Sequence, residues 1–380
     1  MKKCTALLLA LLVALSLTAC GQPDVVDTPD WEFPAAFTGL EPLVEQAQAE
    51  GSLTVYGGGP PGWPPPRPRP SGGCPADCLA AVCETFETLF NVRVTYQQLT
   101  DKEVLEKLDR SGQPGADVWF GADSAALHEA TFMDGLTAYT PAAAANLSND
   151  AFAGTDGLWY GVAGDPPGLI YNAASLRQMG ISAPADWEDL TKLEYWDLLW
   201  LPDYSTIEGW LLARAATDVF DEGAEDFLLS LDENTVCYVA DDDPAANYVG
   251  TGECVIAVGL LSNGAAQRLD GGYDDIRMTL PSSGAPYILS GAAILRNAPH
   301  SAAAQLWMEF VLSPACQELL AKNGWYVWPT VSGVQLSEDF AQLRVNLNDL
   351  SVRLPVGQEG GELDYLIDSV QSALYSPAEG

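Results

Sequence analysis

Six short polar stretches hold the residues best suited to chemistry in this chain. They are Gly57–Gly59 continued at Gly72–Cys74, Gly121–Ser124, Tyr204–Thr206, Thr251–Glu253, Ser262–Gly264 and Ser282–Gly284. Several stand immediately before a predicted helix. There, unpaired backbone N–H groups and the helix dipole favour an anion, and hydroxyls add further donors. The chemistry on offer is binding rather than bond-making. One such loop signifies a turn or a cap, whereas six from two α/β series point to convergence on one crevice.

The catalytic inventory is short. His128 and His300 are the two histidines of the chain, the first in an Ala-rich helix and the second at a helix start. Both read as structural or surface residues. No Gly-x-Ser-x-Gly elbow, His-Glu-x-x-His pair or Walker-type phosphate loop occurs. The run Asp241-Asp242-Asp243 reads as a solvated turn and lacks the spacing of a Ca²⁺ loop. No enzyme activity, cofactor or resident metal is expected.

The elements that must position these loops alternate between strand and helix. Pro42 to Glu50 reads as a short helix, with proline in its first turn and Gly51 as its stop. Ser52 to Tyr56 is a strand ending on glycines, and Leu79, Val82, Cys83, Phe86 and Leu89 trace one apolar helix face. Strands follow at Val92–Tyr96 and Ala116–Phe120, with a short helix over Asp101–Leu108. Around Leu158–Asn172 two strands are joined through Asp165-Pro166-Pro167, and a second series begins. Its helices are predicted at Pro184–Leu190, Thr206–Ala216 and Glu222–Leu229, and its strands at Val236–Val239, Cys254–Gly259 and Ile276–Leu280. Tyr287–Leu295 reads as strand, and helices follow at His300–Leu312, Pro314–Lys322 and around Leu363–Val370. This alternation predicts parallel sheets with helical cover.

The N-terminus places that body outside the cytoplasm. Lys2 and Lys3 precede an apolar run from Ala6 to about Leu17, followed by Thr18-Ala19-Cys20. A helical core of roughly 12 residues reaches about 18 Å, short of the ~30 Å bilayer interior. The pattern is therefore a cleaved export signal rather than a spanning helix. Formal net charge is −35, and loss of Lys2 and Lys3 with the signal takes it to −37. That balance argues against nucleic acid and against anionic lipid as partners of the folded body. Six cysteines remain after Cys4 and Cys20 are set aside, namely Cys74, Cys78, Cys83, Cys237, Cys254 and Cys316. They read as disulfides or buried thiols, since Cys74, Cys78 and Cys83 fit no zinc spacing.

Leu17-Thr18-Ala19-Cys20 resembles the bacterial lipobox, which implies cleavage before Cys20 and a lipid on its sulfur. Four further stretches, Gly51–Gly58, Ala116–Gly121, Val249–Ile256 and Leu280–Gly284, together with the helix Ala302–Leu312 ending at Ser313-Pro314, resemble the extracellular solute-binding proteins of ABC importers. The likeness runs from about 40 to 330 and is to the ferric-iron subgroup, which is similar to binders of hexose phosphates and phosphonates. It implies an α/β, two-lobed, hinged periplasmic-binding-protein type II architecture, each lobe a mainly parallel sheet covered by helices. It also implies a ligand gripped between the lobes and handed to a membrane permease. Two features depart from the subgroup. Residues 59–71, rich in proline, look inserted before Gly72-Gly73-Cys74, and no Tyr-Tyr pair is present to ligate ferric iron.

The expected organisation is a signal peptide over 1–19, a lipid-anchored tether over 20–40, lobe 1 over 41–160 and lobe 2 over 161–284. Residues 285–380 then return through the hinge and supply C-terminal helices that pack on the lobes. The expected cargo is a small anionic solute of sugar-phosphate or phosphonate type. Its donors would come from Gly73, Cys74, Asp123, Ser124, Ser205, Thr206, Ser262, Asn263, Ser282, Ser283 and Gly284, with Tyr160 or Tyr287 against its organic part. The expected protein is a monomer on the outer face of the membrane, held there by the lipid on Cys20 and serving ABC permease subunits. Alternatives are a ferric-iron or other cation receptor, favoured by the negative charge and by Asp123 and Glu253, and a surface lipoprotein without a small ligand. A secreted hydrolase is more distant, for want of a nucleophile–base pair.

Overall fold

The chain changes from one sheet to another at a single residue, Pro166. The computed structural model describes residues 34–58, 74–111, 115–240, 244–341, 343 and 362–375. The expected signal, Cys20, most of the tether, the insertion at 59–71, Gly73 and Asp241–Asp243 lie outside them. The first series comprises α1 (Glu41–Glu50), β1 (Ser52–Gly58), α2 (Ala76–Phe90), β2 (Arg93–Leu99), α3 (Asp101–Ser111), β3 (Val118–Asp123), α4 (Ser124–Phe132), β4 (Leu136–Thr137) and β5 (Trp159–Asp165). The second comprises β6 (Pro167–Asn172), α5 (Ala173–Met179), β7 (Leu199–Pro202), α6 (Ile207–Phe220), α7 (Ala224–Asp232), β8 (Thr235–Val239), α8 (Ala246–Val249), β9 (Ile256–Leu260), α9 (Leu261–Leu269) and β10 (Ile276–Thr279). The chain then returns through β11 (Ile288–Leu295), α10 (Ser301–Val311), α11 (Pro314–Lys322), β12 (Trp328–Pro329), α12 (Glu338–Ala341) and α13 (Glu362–Tyr375).

The first sheet has the order β12-β5-β11-β3-β1-β2, with β4 also paired to β11, and the second has the order β10-β6-β9-β7-β8. The fold is thus the expected α/β, two-lobed one, but its sheets are mixed. Parallel pairing is confined to β2-β1-β3 and β8-β7-β9. The reason is topological. β11 comes back from the other lobe and so runs against both β3 and β5, and β6 leaves the crossing and so runs against β9. β5 pairs wholly within the first sheet and β6 within the second, so the chain passes from one sheet to the other at Pro166.

Local chemistry sets the element ends. Pro42 sits in the first turn of α1, and Gly51 at φ +76° closes it by donating its N–H to Ala47 O. Asn91 does the same for α2 at φ +52°. Near the end of the expected tether Phe37 is buried with its ring 4.9 Å from that of Phe90. An apolar anchor at that position draws the chain into the fold by Pro34. α2 and α10 pack Phe86, Phe90, Trp307 and Phe310 into one aromatic cluster, with Phe86 and Trp307 centroids 5.2 Å apart. Edge and tilted contacts of this kind add to the area they bury.

The predicted helix at Pro184–Leu190 is instead a 3₁₀ turn over Trp187–Thr191, started by Asp186 and Asp189 in a reciprocal capping box. Both histidines have structural duties. His128 stacks edge-on against Trp159, and His300 joins Asp117 and Ser52 at the start of α10. The six described cysteines are free thiols, and Cys237 is the half-buried one. Burial pushes the Cys74 and Cys316 thiols well up from their ordinary value.

Candidate functional site

β1, β2, β3 and β5 run toward one edge of the first sheet, and β7, β8 and β9 run toward one edge of the second. In open α/β sheets ligands bind outside such carboxyl ends. The two edges meet at Asp165, the last residue of β5. Its Oδ1 accepts the Ser262 N–H at 3.2 Å and its Oδ2 accepts the Ser262 hydroxyl, at the start of α9 in the other lobe. Pro166 O accepts the Leu261 N–H at 3.0 Å beside it. A second link between the lobes runs from the Tyr326 hydroxyl to Asp270.

On the first edge the structure gathers Cys74, Asp123 and Ser124. Gly121, at φ +74°, lies so close to Cys74 that an added Cβ would stand 2.9 Å from the Cys74 Cβ. Gln98 Nε2 holds the Cys74 carbonyl at 3.1 Å, and the thiol itself is buried. Asp123 caps α4, its Oδ1 accepting the Ala125 N–H at 2.7 Å. Ser124 is fully buried, and its hydroxyl has no hydrogen-bond partner among the described residues. Asp101, at the start of α3, completes this edge by accepting the Asp123 N–H at 3.0 Å through Oδ2.

The second edge gathers Ser205, Thr206, Ser262 and Asn263. Thr206 caps α6, accepting the Gly209 N–H at 3.0 Å while donating its hydroxyl to Asp203 O at 2.6 Å. The Ser205 hydroxyl donates to the Asp203 carboxylate at 2.6 Å. Glu208, buried in the first turn of α6, accepts the Asn263 side-chain amide at 2.8 Å and the Leu260 N–H at 2.9 Å.

Ser282, Ser283 and Gly284 form a separate group in the connection from β10 to β11. Asp186 accepts the hydroxyls of Ser282 and Ser283, and Trp187 Nε1 donates to Gly284 O at 2.7 Å. The two tyrosines are not brought to either edge. Tyr160 lies early in β5 with its hydroxyl donated to Tyr139 O at 3.0 Å, inside the first lobe. Tyr287 is buried edge-on against Phe152, with centroids 6.0 Å apart. Both rings are buried, so neither presents a face to solvent in this structure.

Hydroxyl and glycine spacing did not point to the carboxylates that share these loops. Asp101, Asp165, Asp186, Asp203 and Glu208 accept hydrogen bonds from the predicted donors Asp123, Ser262, Ser283, Ser205 and Asn263. Acidic residues directly after strands and in first helical turns were the available signal. Their electrostatics differ by partner. Burial pushes Asp101 up to about 7, with the Asp123 N–H drawing it down and the Asp123 charge adding to the rise. Burial likewise pushes Asp123 up to about 6, against the pull of the Ala125 N–H. Burial also acts upward on Asp186, yet the hydroxyls of Ser282 and Ser283 and two backbone N–H groups outweigh it and hold that carboxyl below its ordinary value.

Asp101 should be visible in the pH dependence of stability. Its folded value lies above its ordinary 3.8, so between about pH 4 and 7 the folded state keeps a proton that the unfolded state releases. Its contribution to stability is therefore present in acid and lost as pH rises to 7. Relative to wild type, Asp101→Asn is expected to gain up to about 1.4 kcal/mol per pH unit across that window and nothing further above it. Urea unfolding of both proteins from pH 4.5 to 8 measures this, and parallel curves would refute the burial of this carboxyl.

Among the described residues no group of three or more His, Cys, Asp and Glu side chains is arranged to hold a metal ion. Solved structures with the same fold cover most of the chain. The periplasmic binding protein AfuA from Actinobacillus pleuropneumoniae, with fructose 6-phosphate bound, is 21% identical over 85% of this chain and 98% of its own, at a TM-score of 0.61. Iron-bound HitA from Pseudomonas aeruginosa is 21% identical over 84% and 99%, at 0.61. The spermidine/putrescine ABC transporter substrate-binding protein PotD from Streptococcus pneumoniae is 17% identical over 84% and 98%, at 0.66. At these identities the likeness is one of fold, and it does not choose among three different cargoes. The profile of the bacterial extracellular solute-binding proteins matches residues 81–344. Two lobes joined at Pro166, carboxyl edges meeting across the crossing and a family match over most of the body make this chain a member of the bacterial extracellular solute-binding protein family.

Proposed function

We propose that the chain captures a small polar organic solute between its two carboxyl edges and delivers it to the permease of an ABC importer. The observation that carries this reading is the Asp165–Ser262 junction. It brings the loop ends of both sheets to one crossing, where rotation about the connections at Pro166 and 280–287 would open and close a crevice. Export, cleavage before Cys20, anchoring by a lipid on its sulfur and a monomeric state belong to the same proposal. Its support is the lipobox-like sequence, and no described helix is long and apolar enough to cross a membrane. Changing Cys20 to alanine should move the protein from the membrane to the soluble fraction.

The crevice favours a solute that brings donors. The first turns of α4 and α9 already give N–H groups to Asp123 and Asp165, and α6 is capped by Thr206. A sugar phosphate or phosphonate is the second reading. It is favoured by α2, whose start beside Cys74 has no side-chain cap and so leaves backbone donors for an anion. Thermal unfolding against a panel of hexose phosphates, phosphonates, ferric citrate, sugars and amines tests both readings. A ligand at a hundred times its Kd adds about 2.7 kcal/mol of stability. No shift with any member of a broad panel would remove the receptor reading itself.

A further inference from the structure

We propose that Asp101, Asp123 and Ser124 form a subsite for a primary ammonium group on the captured solute. This rests on the receptor reading above and adds to it the chemical class of the cargo.

Both carboxylates are fixed in place through one oxygen each. Asp101 Oδ2 accepts the Asp123 N–H at 3.0 Å, and Asp123 Oδ1 accepts the Ala125 N–H at 2.7 Å. The remaining oxygens are unused. Among the described residues Asp101 Oδ1 is enclosed without a partner and Asp123 Oδ2 accepts nothing. Ser124 follows at the first position of α4, fully buried, and its hydroxyl is a third polar group without a partner among the described residues. Enclosed acceptors without donors are costly, and those on carboxylates more so.

The charge is equally unbalanced. Neither Asp101 nor Asp123 has an ion-pair partner among the described residues, whereas Asp134, Asp189, Asp218 and Asp275 each pair with an arginine or lysine. Two neighbouring carboxyls half removed from water call for a positive counter-charge. A primary ammonium supplies that charge together with three N–H donors. A phosphate brings charge of the wrong sign and no donors when fully ionised. A sugar hydroxyl brings donors but leaves the charge uncompensated. The site lies at the carboxyl ends of β2 and β3, on the edge that faces the crossing, where a solute held between the lobes would meet it.

Titration calorimetry on the mature chain with matched pairs of probes decides this. Putrescine is compared with 1,4-butanediol and glucosamine with glucose, so that only the ammonium differs in charge. At least one amine is expected to bind tenfold or more tightly than its uncharged counterpart. Asp101→Asn and Asp123→Asn should each cut that binding at least tenfold, and Ser124→Ala several-fold. The asparagine variants relieve buried charge and keep side-chain shape, and far-ultraviolet circular dichroism verifies their folding. Equal binding within both pairs, or amine binding that survives the Asn variants, overturns the subsite. Binding of fructose 6-phosphate with no amine binding also overturns it while leaving the receptor reading intact.

Discussion

Replacing Asp117 with alanine is expected to lower the unfolding free energy by about 3–5 kcal/mol. The carboxylate is fully buried at the entry to β3. Its Oδ2 accepts the Thr54 N–H of β1 at 2.7 Å, and its Oδ1 accepts the His300 N–H at 2.7 Å. His300 Nδ1 lies 3.0 Å from Oδ2, and the His300 Nε2 reaches Ser52 Oγ at 3.0 Å. The Asp117 backbone donates its N–H to Thr54 O and accepts the Leu295 N–H. One side chain thus holds together β1, β3, the end of β11 and the start of α10. Alanine leaves two backbone donors facing an empty space, each hydrogen bond to a charged group being worth about 1.5–3 kcal/mol. Asp117→Asn keeps one good acceptor and should lose about half as much. Equilibrium urea unfolding reads both, and an alanine variant within 1 kcal/mol of wild type would contradict this account.

Changing Gly209 to alanine should destabilise by about 3 kcal/mol, against the direction that helix propensity alone predicts. Alanine within a helix is normally favoured over glycine by about 0.5–1 kcal/mol. Here an added Cβ would stand 2.1 Å from Asp203 O and 2.6 Å from Tyr204 Cα. Both are backbone atoms, so no rotamer change relieves the overlap and the start of α6 must move. Steric cost therefore exceeds propensity gain. The displacement would carry Thr206 and Glu208 with it and unsettle Asn263 and the Leu260 N–H, which both lean on Glu208. Thermal unfolding gives the sign directly, since a stabilised variant would mean that the turn at Asp203 is looser than the structure has it.

Elements with strong local signals were legible in the chain itself. Pro314–Lys322 is a helix with the predicted bounds, because Ser313 caps it and proline fits its first turn. The apolar face traced by Leu79, Val82, Cys83 and Phe86 is the buried face of α2, and the pair of strands around Asp165-Pro166-Pro167 is present as β5 and β6. β7 was not legible. Leu199–Pro202 is a four-residue run with no alternation, and only pairing with β8 and β9 on its two sides makes it central. The loops were found by type, but their availability was not. Ser262 is taken by Asp165 from 97 positions away, and Ser282 by Asp186 from 96. Local spacing can say that a hydroxyl sits at a strand end. It has no means of saying which distant carboxylate has reached it first.

The place of β11 also governs the order in which this molecule can assemble. That strand lies between β3 and β5, yet it is contributed by residues 288–295. A chain emerging N-terminus first therefore presents β1, β2, β3 and β5 with a gap in the middle until nearly three hundred residues are out. The stretch 167–279 supplies all five strands of its sheet consecutively, and only α13, which packs on α6 and α7, joins that lobe from the far end of the chain. Chain order thus lets the second sheet pair completely while the first still lacks its middle strand.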